Sequence, residues 1–235
     1  MTAPFAALLF DIDGTLLRAG GAGRRAFERA LEEHAGPVDG RVAAMKFDGM
    51  TDRLIVREAL ALVGRAWDEA TCQAILDRYV EHLPGEIASP GYRVLPGVVP
   101  LLEALVTRRT AFGLCTGNVL EGARVKLRHG DLERFFDWGP TGLHGFADDG
   151  EARERVVMAA VERIRRALGP ALAPDRVLII GDTPRDISAG HAVGCAVLGV
   201  ATGNFTRAAL QAAGADAVFE TLEDPAAWAL LLPAP

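Results

Sequence analysis

Four short apolar runs constrain the fold of this chain more than any other feature of its sequence. They lie at 6–10, 111–115, 177–180 and 196–200, and small or acidic residues follow each of them. Such runs are typical of strands that are buried on both faces of a parallel sheet. Helical patterns alternate with them at 97–108, 119–129, 152–168, 184–193 and 207–213. This alternation predicts an α/β fold with an open, doubly wound parallel sheet.

The segment 18–90 breaks this alternation. Its apolar residues recur with helical spacing, as at Phe27 and Leu31, and no convincing strand is present. We therefore expect a helical cap domain at 18–90, inserted into a core domain made of 1–17 and 91–235. Glycine and proline near its ends would supply flexible hinges, at Gly20-Gly21, Pro84-Gly85 and 89–91.

Charge and composition narrow the partners and the compartment. The net charge is −6, and no Lys/Arg-rich stretch is present that could neutralise a nucleic acid backbone. No window approaches the roughly 18 consecutive apolar residues of a membrane span, and residues 1–10 lack the basic region of a signal peptide. Cys72, Cys115 and Cys195 are odd in number and widely spaced. We expect a cytoplasmic protein without a nucleic acid or membrane partner. The oligomeric state stays open.

Two carboxylates, Asp11 and Asp13, follow the first apolar run. The pair Asp13-Gly14 also favours a β-hairpin turn, but the glycine-rich, basic segment at 18–23 does not look like a returning strand. Residues two apart on an extended segment project to the same side, so both carboxylates would enter one site. Their repulsion suits a Mg²⁺ site, a nucleophile paired with a general acid, or both.

Two further polar clusters follow later runs. Thr116, Gly117 and Asn118 offer a hydroxyl and backbone N–H groups to an anion such as phosphate, although Thr116 or Asn118 would also serve as a plain helix N-cap. Asp182 and Asp186 flank a predicted helix start at Pro184, which Asp182 or Thr183 would cap. Ligands of open α/β sheets bind at the carboxyl ends of the strands. Since all three clusters fall there, we expect one shared site.

The ordered motifs DIDGTL, CTGN and GDTPRDI resemble the haloacid dehalogenase superfamily of phosphohydrolases over nearly the whole chain. The resemblance implies a doubly wound core with a helical cap after the first motif. It implies that Asp11 is the nucleophile and forms an aspartyl-phosphate, and that Asp13 is the general acid that later activates water. It also implies that Asp11, the backbone carbonyl of Asp13, and Asp182 hold Mg²⁺, with Asp186 supporting the site. Thr116 would hydrogen-bond the phosphoryl group, with Gly117 and Asn118 as further substrate-binding candidates.

A positively charged side chain is also expected near the phosphate, because it offsets the repulsion between a carboxylate and a phosphate dianion. The family usually takes a lysine from the helix before the third motif, yet no lysine lies between Arg128 and Gly181. We take Lys126 as the candidate and Arg153 as the alternative.

The cap segment at 49–53 resembles one that faces the active site in phosphoglycolate-phosphatase-like members, which makes Arg53 a candidate substrate contact. Alternatively, Asp52 only caps the helix that follows it, and Arg53 lies on the surface. The five histidines share no metal-ligand spacing, so we interpret them as structural or surface residues.

Together these features predict a Mg²⁺-dependent phosphatase that acts on a small phosphorylated metabolite through Asp11. Phosphoglycolate is suggested as the substrate by resemblance alone. A sugar-phosphate mutase of the same superfamily is the enzymatic alternative. A non-enzymatic switch that accepts phosphate on Asp11 is the alternative from another class. A dehalogenase is disfavoured because that branch lacks the second aspartate, which is Asp13 here.

Overall fold

The computed structural model describes residues 5–38 and 40–232 and has an α/β fold. The strands are β1 (Ala7–Phe10), β2 (Leu17–Ala19), β3 (Tyr92–Val94), β4 (Phe112–Leu114), β5 (Val177–Gly181), β6 (Ala196–Val200) and β7 (Ala217–Phe219). The α-helices are α1 (Ala22–Ala35), α2 (Asp52–Leu62), α3 (Glu69–Ile87), α4 (Val98–Thr107), α5 (Leu120–His129), α6 (Arg153–Leu168), α7 (Pro184–Val193), α8 (Arg207–Ala212) and α9 (Pro225–Leu231). Short 3₁₀ helices lie at Glu133–Phe135, Ala147–Asp149 and Pro174–Arg176.

The main sheet is parallel and has the strand order β4-β1-β5-β6-β7. Neighbouring residues of a strand bury opposite faces, as Leu9 and Phe10 do in β1. Helices α4, α5 and α9 cover one face, and α6, α7 and α8 cover the other. The predicted doubly wound parallel sheet is therefore confirmed. The sequence analysis missed β7, because three residues between polar neighbours carry too little pattern.

Helices α1, α2 and α3 lie between β2 and β3 and form the predicted helical cap. They share an apolar cluster of their own, which includes Phe27, Val56 and Ile75. The two domain ranges drawn from the sequence stay a prediction, and parts of them, at 1–4, 39 and 233–235, lie outside the described residues. None of the helices in the described part of the chain is long and apolar enough to cross a membrane.

Two expectations about the ends of the cap are wrong. The segment 18–90 does contain strand, because Arg18 and Ala19 belong to β2, which pairs antiparallel with β3 in a ribbon between cap and core. Three-residue strands are too short to show a period of two in a sequence. The pair Pro84-Gly85 is not a break either, since α3 continues to Ile87 and buries Leu83 and Ile87. Burial of that apolar face keeps the helix continuous.

Gly20 and Gly91 mark the places where the chain enters and leaves the cap. Their φ angles are +59° and +112°, and a Cβ atom on Gly20 would lie 2.7 Å from the carbonyl carbon of Gly91. Only glycine allows both the conformation and this approach of two backbones.

Candidate active site

The three polar clusters meet at the carboxyl ends of the central strands, as expected. Asp11 follows β1 and its N–H donates to the carbonyl of Ile180 in β5. Thr116 follows β4, and Asp182 follows β5. All three line a cavity of about 540 Å³ between cap and core. The sheet order, which places β1 between β4 and β5, brings these residues together.

Three buried carboxylates form the floor of the cavity. One oxygen each from Asp11, Asp182 and Asp186 can be chosen so that all lie within 4.8 Å of one another. Burial raises the pKa of Asp11 to about 6, although the adjacent Arg153 acts to lower it. Burial and the charge of Asp11 hold the pKa of Asp182 well above its usual range. A bound divalent cation would relieve this repulsion, and a set of carboxylate oxygens fits Mg²⁺.

The Asp182 carboxylate is packed between two glycines. A Cβ atom would lie 2.3 Å from Asp182 Oδ2 on Gly14 and 1.6 Å from it on Gly203. Asp182 is therefore held by close backbone approach and does not cap α7. Thr183 is the N-cap residue of that helix, in a reciprocal capping box with Asp186. Of the two caps considered from the sequence, the structure has Thr183.

Asp13 lies on the other side of the cavity from this carboxylate floor. Its Oδ2 accepts hydrogen bonds from Lys126 Nζ at 2.6 Å and from Asn118 Nδ2 at 2.9 Å. The Asp13 side chain is 41% exposed, so a substrate could reach it. The hairpin alternative is not found: the chain does turn at Gly14, but β2 pairs with β3 and not with β1.

Both candidate cations lie in the cavity, at different carboxylates. Lys126 Nζ donates to Asp13 and, at 2.6 Å, to Asn118 Oδ1. Arg153 Nη2 donates to Asp11 Oδ1 at 3.0 Å, to Asp186 Oδ1 at 2.7 Å and to the Cys115 carbonyl at 3.0 Å. Burial acts to lower the pKa of Lys126, but the charge of Asp13 outweighs it and raises that pKa. The site thus keeps two positive charges at neutral pH.

Thr116 and Asn118 are not helix caps. The N-cap residue of α5 is Val119, and the carboxylate of Asp52 in the cap accepts its N–H at 2.8 Å. The Thr116 hydroxyl accepts a hydrogen bond from Asn118 Nδ2 at 2.8 Å, so both side chains belong to the cavity. Gly117 also lines it, and its carbonyl accepts the N–H of Asp52.

Two expectations for the cap segment differ from what the structure places there. Asp52 does not cap its own helix, because Thr51 is the N-cap residue of α2. Asp52 reaches the core, and burial raises its pKa to about 6. Arg53 is not among the residues that line the cavity, and its guanidinium pairs with Glu69 at the protein surface. The structure therefore does not bring Arg53 to the other candidate residues.

A family model for haloacid dehalogenase-like hydrolases matches residues 8–200, which is most of the chain. The chain belongs to this family. The resemblance read from the three motifs is confirmed.

Named relatives of this haloacid dehalogenase-like hydrolase are phosphatases. The phosphoglycolate phosphatase of Rhodospirillum rubrum is 30% identical and is matched over 94% of this chain and 90% of its own. That of Escherichia coli K12 is 25% identical over 92% and 88% of the two chains. Among solved structures, a phosphatase predicted in Clostridium acetobutylicum has a TM-score of 0.69 at 20% identity and covers 98% of this chain and 100% of its own. A Bacteroides vulgatus protein proposed to be a β-phosphoglucomutase has a TM-score of 0.70 at 20% identity, over 98% and 90% of the two chains. These structural matches show the fold alone.

Several residues of the cavity in this haloacid dehalogenase-like hydrolase have no clear signal in the sequence. Tyr79 faces the cavity from α3, where its helical spacing indicates only a core position. Gly203 and Asn204, which a plain loop would explain equally well, also line the cavity. Arg18 and Arg93 reach it from the ribbon between cap and core, which the sequence did not predict.

Proposed function

We propose that this protein is a phosphatase that hydrolyses a small phosphate monoester in two steps through Asp11. The observation that carries the proposal is the buried Asp11 carboxylate, which faces a closed cavity with Asp13 and Lys126 on its opposite side. The names of the relatives support a phosphate ester as substrate, with phosphoglycolate as one candidate. A small phosphorylated metabolite fits a cavity of about 540 Å³.

In the first step, an Asp11 oxygen forms a bond to phosphorus while the bond from phosphorus to the alcohol oxygen breaks. Asp13, in its protonated form, gives its proton to that leaving oxygen. In the second step, the Asp13 carboxylate takes a proton from water as the water oxygen attacks phosphorus. The bond to Asp11 then breaks and inorganic phosphate leaves. The 41% exposure of Asp13 supports its contact with a leaving group and with water.

Asp11, Asp182 and Asp186, together with the backbone carbonyl of Asp13, would hold Mg²⁺. When bound, Mg²⁺ supplies positive charge that stabilises the phosphoryl oxygens. The chain itself contributes further positive charge from Lys126 and Arg153, which lie on the two sides of the cavity. We assign the positioning of Asp13 to Lys126 and that of Asp11 to Arg153. Asp186 is fixed by its hydrogen bonds from Thr183.

The segment Thr116-Gly117-Asn118 is proposed to hold the phosphoryl group. The Thr116 hydroxyl accepts one hydrogen bond from Asn118, which leaves its own proton available to a phosphoryl oxygen. Gly117 packs so tightly under the cap that a Cβ atom there would lie 2.1 Å from the carbonyl oxygen of Met50. This contact fixes the position of the segment.

Two other readings are distinguished by what happens to the phosphoryl group. A sugar-phosphate mutase would return it to the sugar, whereas a phosphatase releases inorganic phosphate. A phospho-acceptor switch would keep it on Asp11 without turnover. The covered cavity favours an enzyme over the switch, because a cap excludes water during the transfer step. A cytoplasmic location and a defined oligomeric state stay predictions.

The proposal is tested with p-nitrophenyl phosphate and Mg²⁺. We expect Asp11→Asn to abolish release of inorganic phosphate, and Asp13→Asn to leave slow turnover with phosphate trapped on the protein. The matched control is Asp175→Asn, since Asp175 is exposed and lies outside the cavity; it should turn over as the unmodified chain does. Full activity of Asp11→Asn would refute the proposal.

A further inference from the structure

The ribbon of β2 and β3 forms one wall of the cavity and carries two arginines on the same face. Its register places Arg18 directly opposite Arg93. The residues on either side, such as Leu17 and Tyr92, pack against the core. Arg18 and Arg93 line the cavity instead. Side chains directly opposite on an antiparallel pair lie about 5 Å apart at Cβ, so two positive charges meet here.

Neither arginine of this ribbon pairs with a carboxylate. Arg18 donates from Nε and Nη2 to the carbonyls of Thr202 and Gly203, which are neutral, and its Nη1 group has no partner among the described residues. The guanidinium of Arg93 makes no hydrogen bond and no ion pair within 5–38 and 40–232. Like charges directly opposite on a ribbon are destabilising. The ribbon therefore has positive charge that no protein group offsets.

The other cations of the cavity are already engaged. Lys126 is bonded to Asp13, and Arg153 to Asp11 and Asp186. Arg24 lies against Glu28 and the Phe47 ring. These pairs lie at the reacting end or on the cap, whereas Arg93 lies on the ribbon wall. The unpaired charge is thus separate from the groups assigned to the transferred phosphoryl group.

We propose that Arg93, with the Nη1 group of Arg18 beside it, binds a second oxyanion on the alcohol part of the substrate. This inference rests on the proposed phosphatase function and narrows its substrate class. Preferred substrates would be phosphate monoesters whose alcohol carries a carboxylate or a second phosphate. A guanidinium suits both groups, because its planar N–H donors match two oxygens at once. Arg93 is in this way a residue that determines specificity.

The test compares three substrates on one three-carbon skeleton: glycerol 3-phosphate, which is neutral at the distant end, 3-phosphoglycerate and glycerol 1,3-bisphosphate. A two-carbon pair, 2-hydroxyethyl phosphate and 2-phosphoglycolate, covers a shorter reach. We expect the unmodified chain to prefer the charged member of at least one set. Arg93→Met should lower kcat/KM for that charged substrate by about 10- to 100-fold more than for its neutral match, since hydrogen bonds to charged groups are the strong ones.

The control variant is Arg207→Met, which removes the same charge from an exposed residue outside the cavity. Arg93→Lys should recover part of the preference, because it keeps the charge and loses the planar donor pair. The two charged three-carbon substrates show whether the group is a carboxylate or a second phosphate.

Equal losses on charged and neutral substrates would overturn the role of Arg93. So would an unmodified chain that hydrolyses p-nitrophenyl phosphate without preferring any charged substrate. Failure of the phosphatase proposal looks different, because Asp11→Asn would then retain turnover of every substrate in the set.

Discussion

Replacing Arg153 is expected to destabilise the protein far more than replacing Lys126, although both cations are buried. The side chains of Asp11 and Asp186, which bind Arg153, are 8% and 1% exposed. Removal of one partner of a buried ion pair costs about 3–5 kcal/mol, because it leaves an uncompensated charge. We expect a loss of this size in the free energy of unfolding for Arg153→Met.

Lys126→Met has a different expected cost. Its charged partner, Asp13, is 41% exposed and can regain water when the ammonium group is lost. Only the contact with the Asn118 carbonyl oxygen is lost from a buried place. We expect a loss of about 1–2 kcal/mol, the range for one hydrogen bond and a solvated ion pair.

Urea unfolding followed by tryptophan fluorescence measures both changes, in EDTA and again with Mg²⁺. Mg²⁺ should restore part of the stability of Arg153→Met, whose freed carboxylates are the proposed metal ligands, and little of that of Lys126→Met. Lys46→Met is the control, because Lys46 is exposed and is the other lysine of the chain. Equal losses for Lys126→Met and Arg153→Met would contradict the different solvation of their partners. Both variants should lose about 100-fold or more in kcat with p-nitrophenyl phosphate.

Three further changes test other parts of the structure. Burial lowers the pKa of His144 below its ordinary 6.5, so protonation favours the unfolded chain and stability falls as pH drops below about 6.5; His144→Gln, which keeps a donor and an acceptor, should lose less stability between pH 7.5 and 5.5 in urea titrations, and an unchanged loss would contradict this. Burial raises the pKa of Asp52 from 3.8 to about 6, so its charge costs stability as pH rises through that range; Asp52→Asn should be more stable than the unmodified chain at pH 8 but not at pH 4, and a gain that is the same at both pH values would refute the assignment. Gly203→Ala would place a methyl group on the Asp182 carboxylate, and calorimetry should show at least about tenfold weaker Mg²⁺ binding, whereas Gly85→Ala, which meets no atom within 4 Å, should bind Mg²⁺ normally.

The sequence was informative where one short motif carries both a strand end and its chemistry. Asp11, Thr116 and Asp182 each follow an apolar run, so the topology of a parallel sheet was enough to bring them together. Candidate cations could be named but not placed, because a helix pattern does not show which carboxylate a long side chain will reach. Both Lys126 and Arg153 prove to be in the cavity.

Contacts between cap and core could not be predicted from the sequence. Asp52 looks like the cap of its own helix in one dimension, since acidic residues are common at helix starts. Its true partner, the N–H of Val119, lies on a different domain and 67 positions away. The pairing of Arg18 with Arg93 is similarly remote, and it depends on two strands of three residues each.

The bond from Asp52 to Val119 bears on how caps can be exchanged between related proteins. Because this carboxylate comes from the cap and ends a core helix, a transplanted cap without an acceptor at this position would leave that helix N-terminus unsatisfied. The displaced backbone would be that of the neighbouring Gly117, whose carbonyl accepts the N–H of Asp52. Chimeras designed for new specificity would therefore need to carry residue 52 along with the core, even though it belongs to the cap in the linear order of the chain.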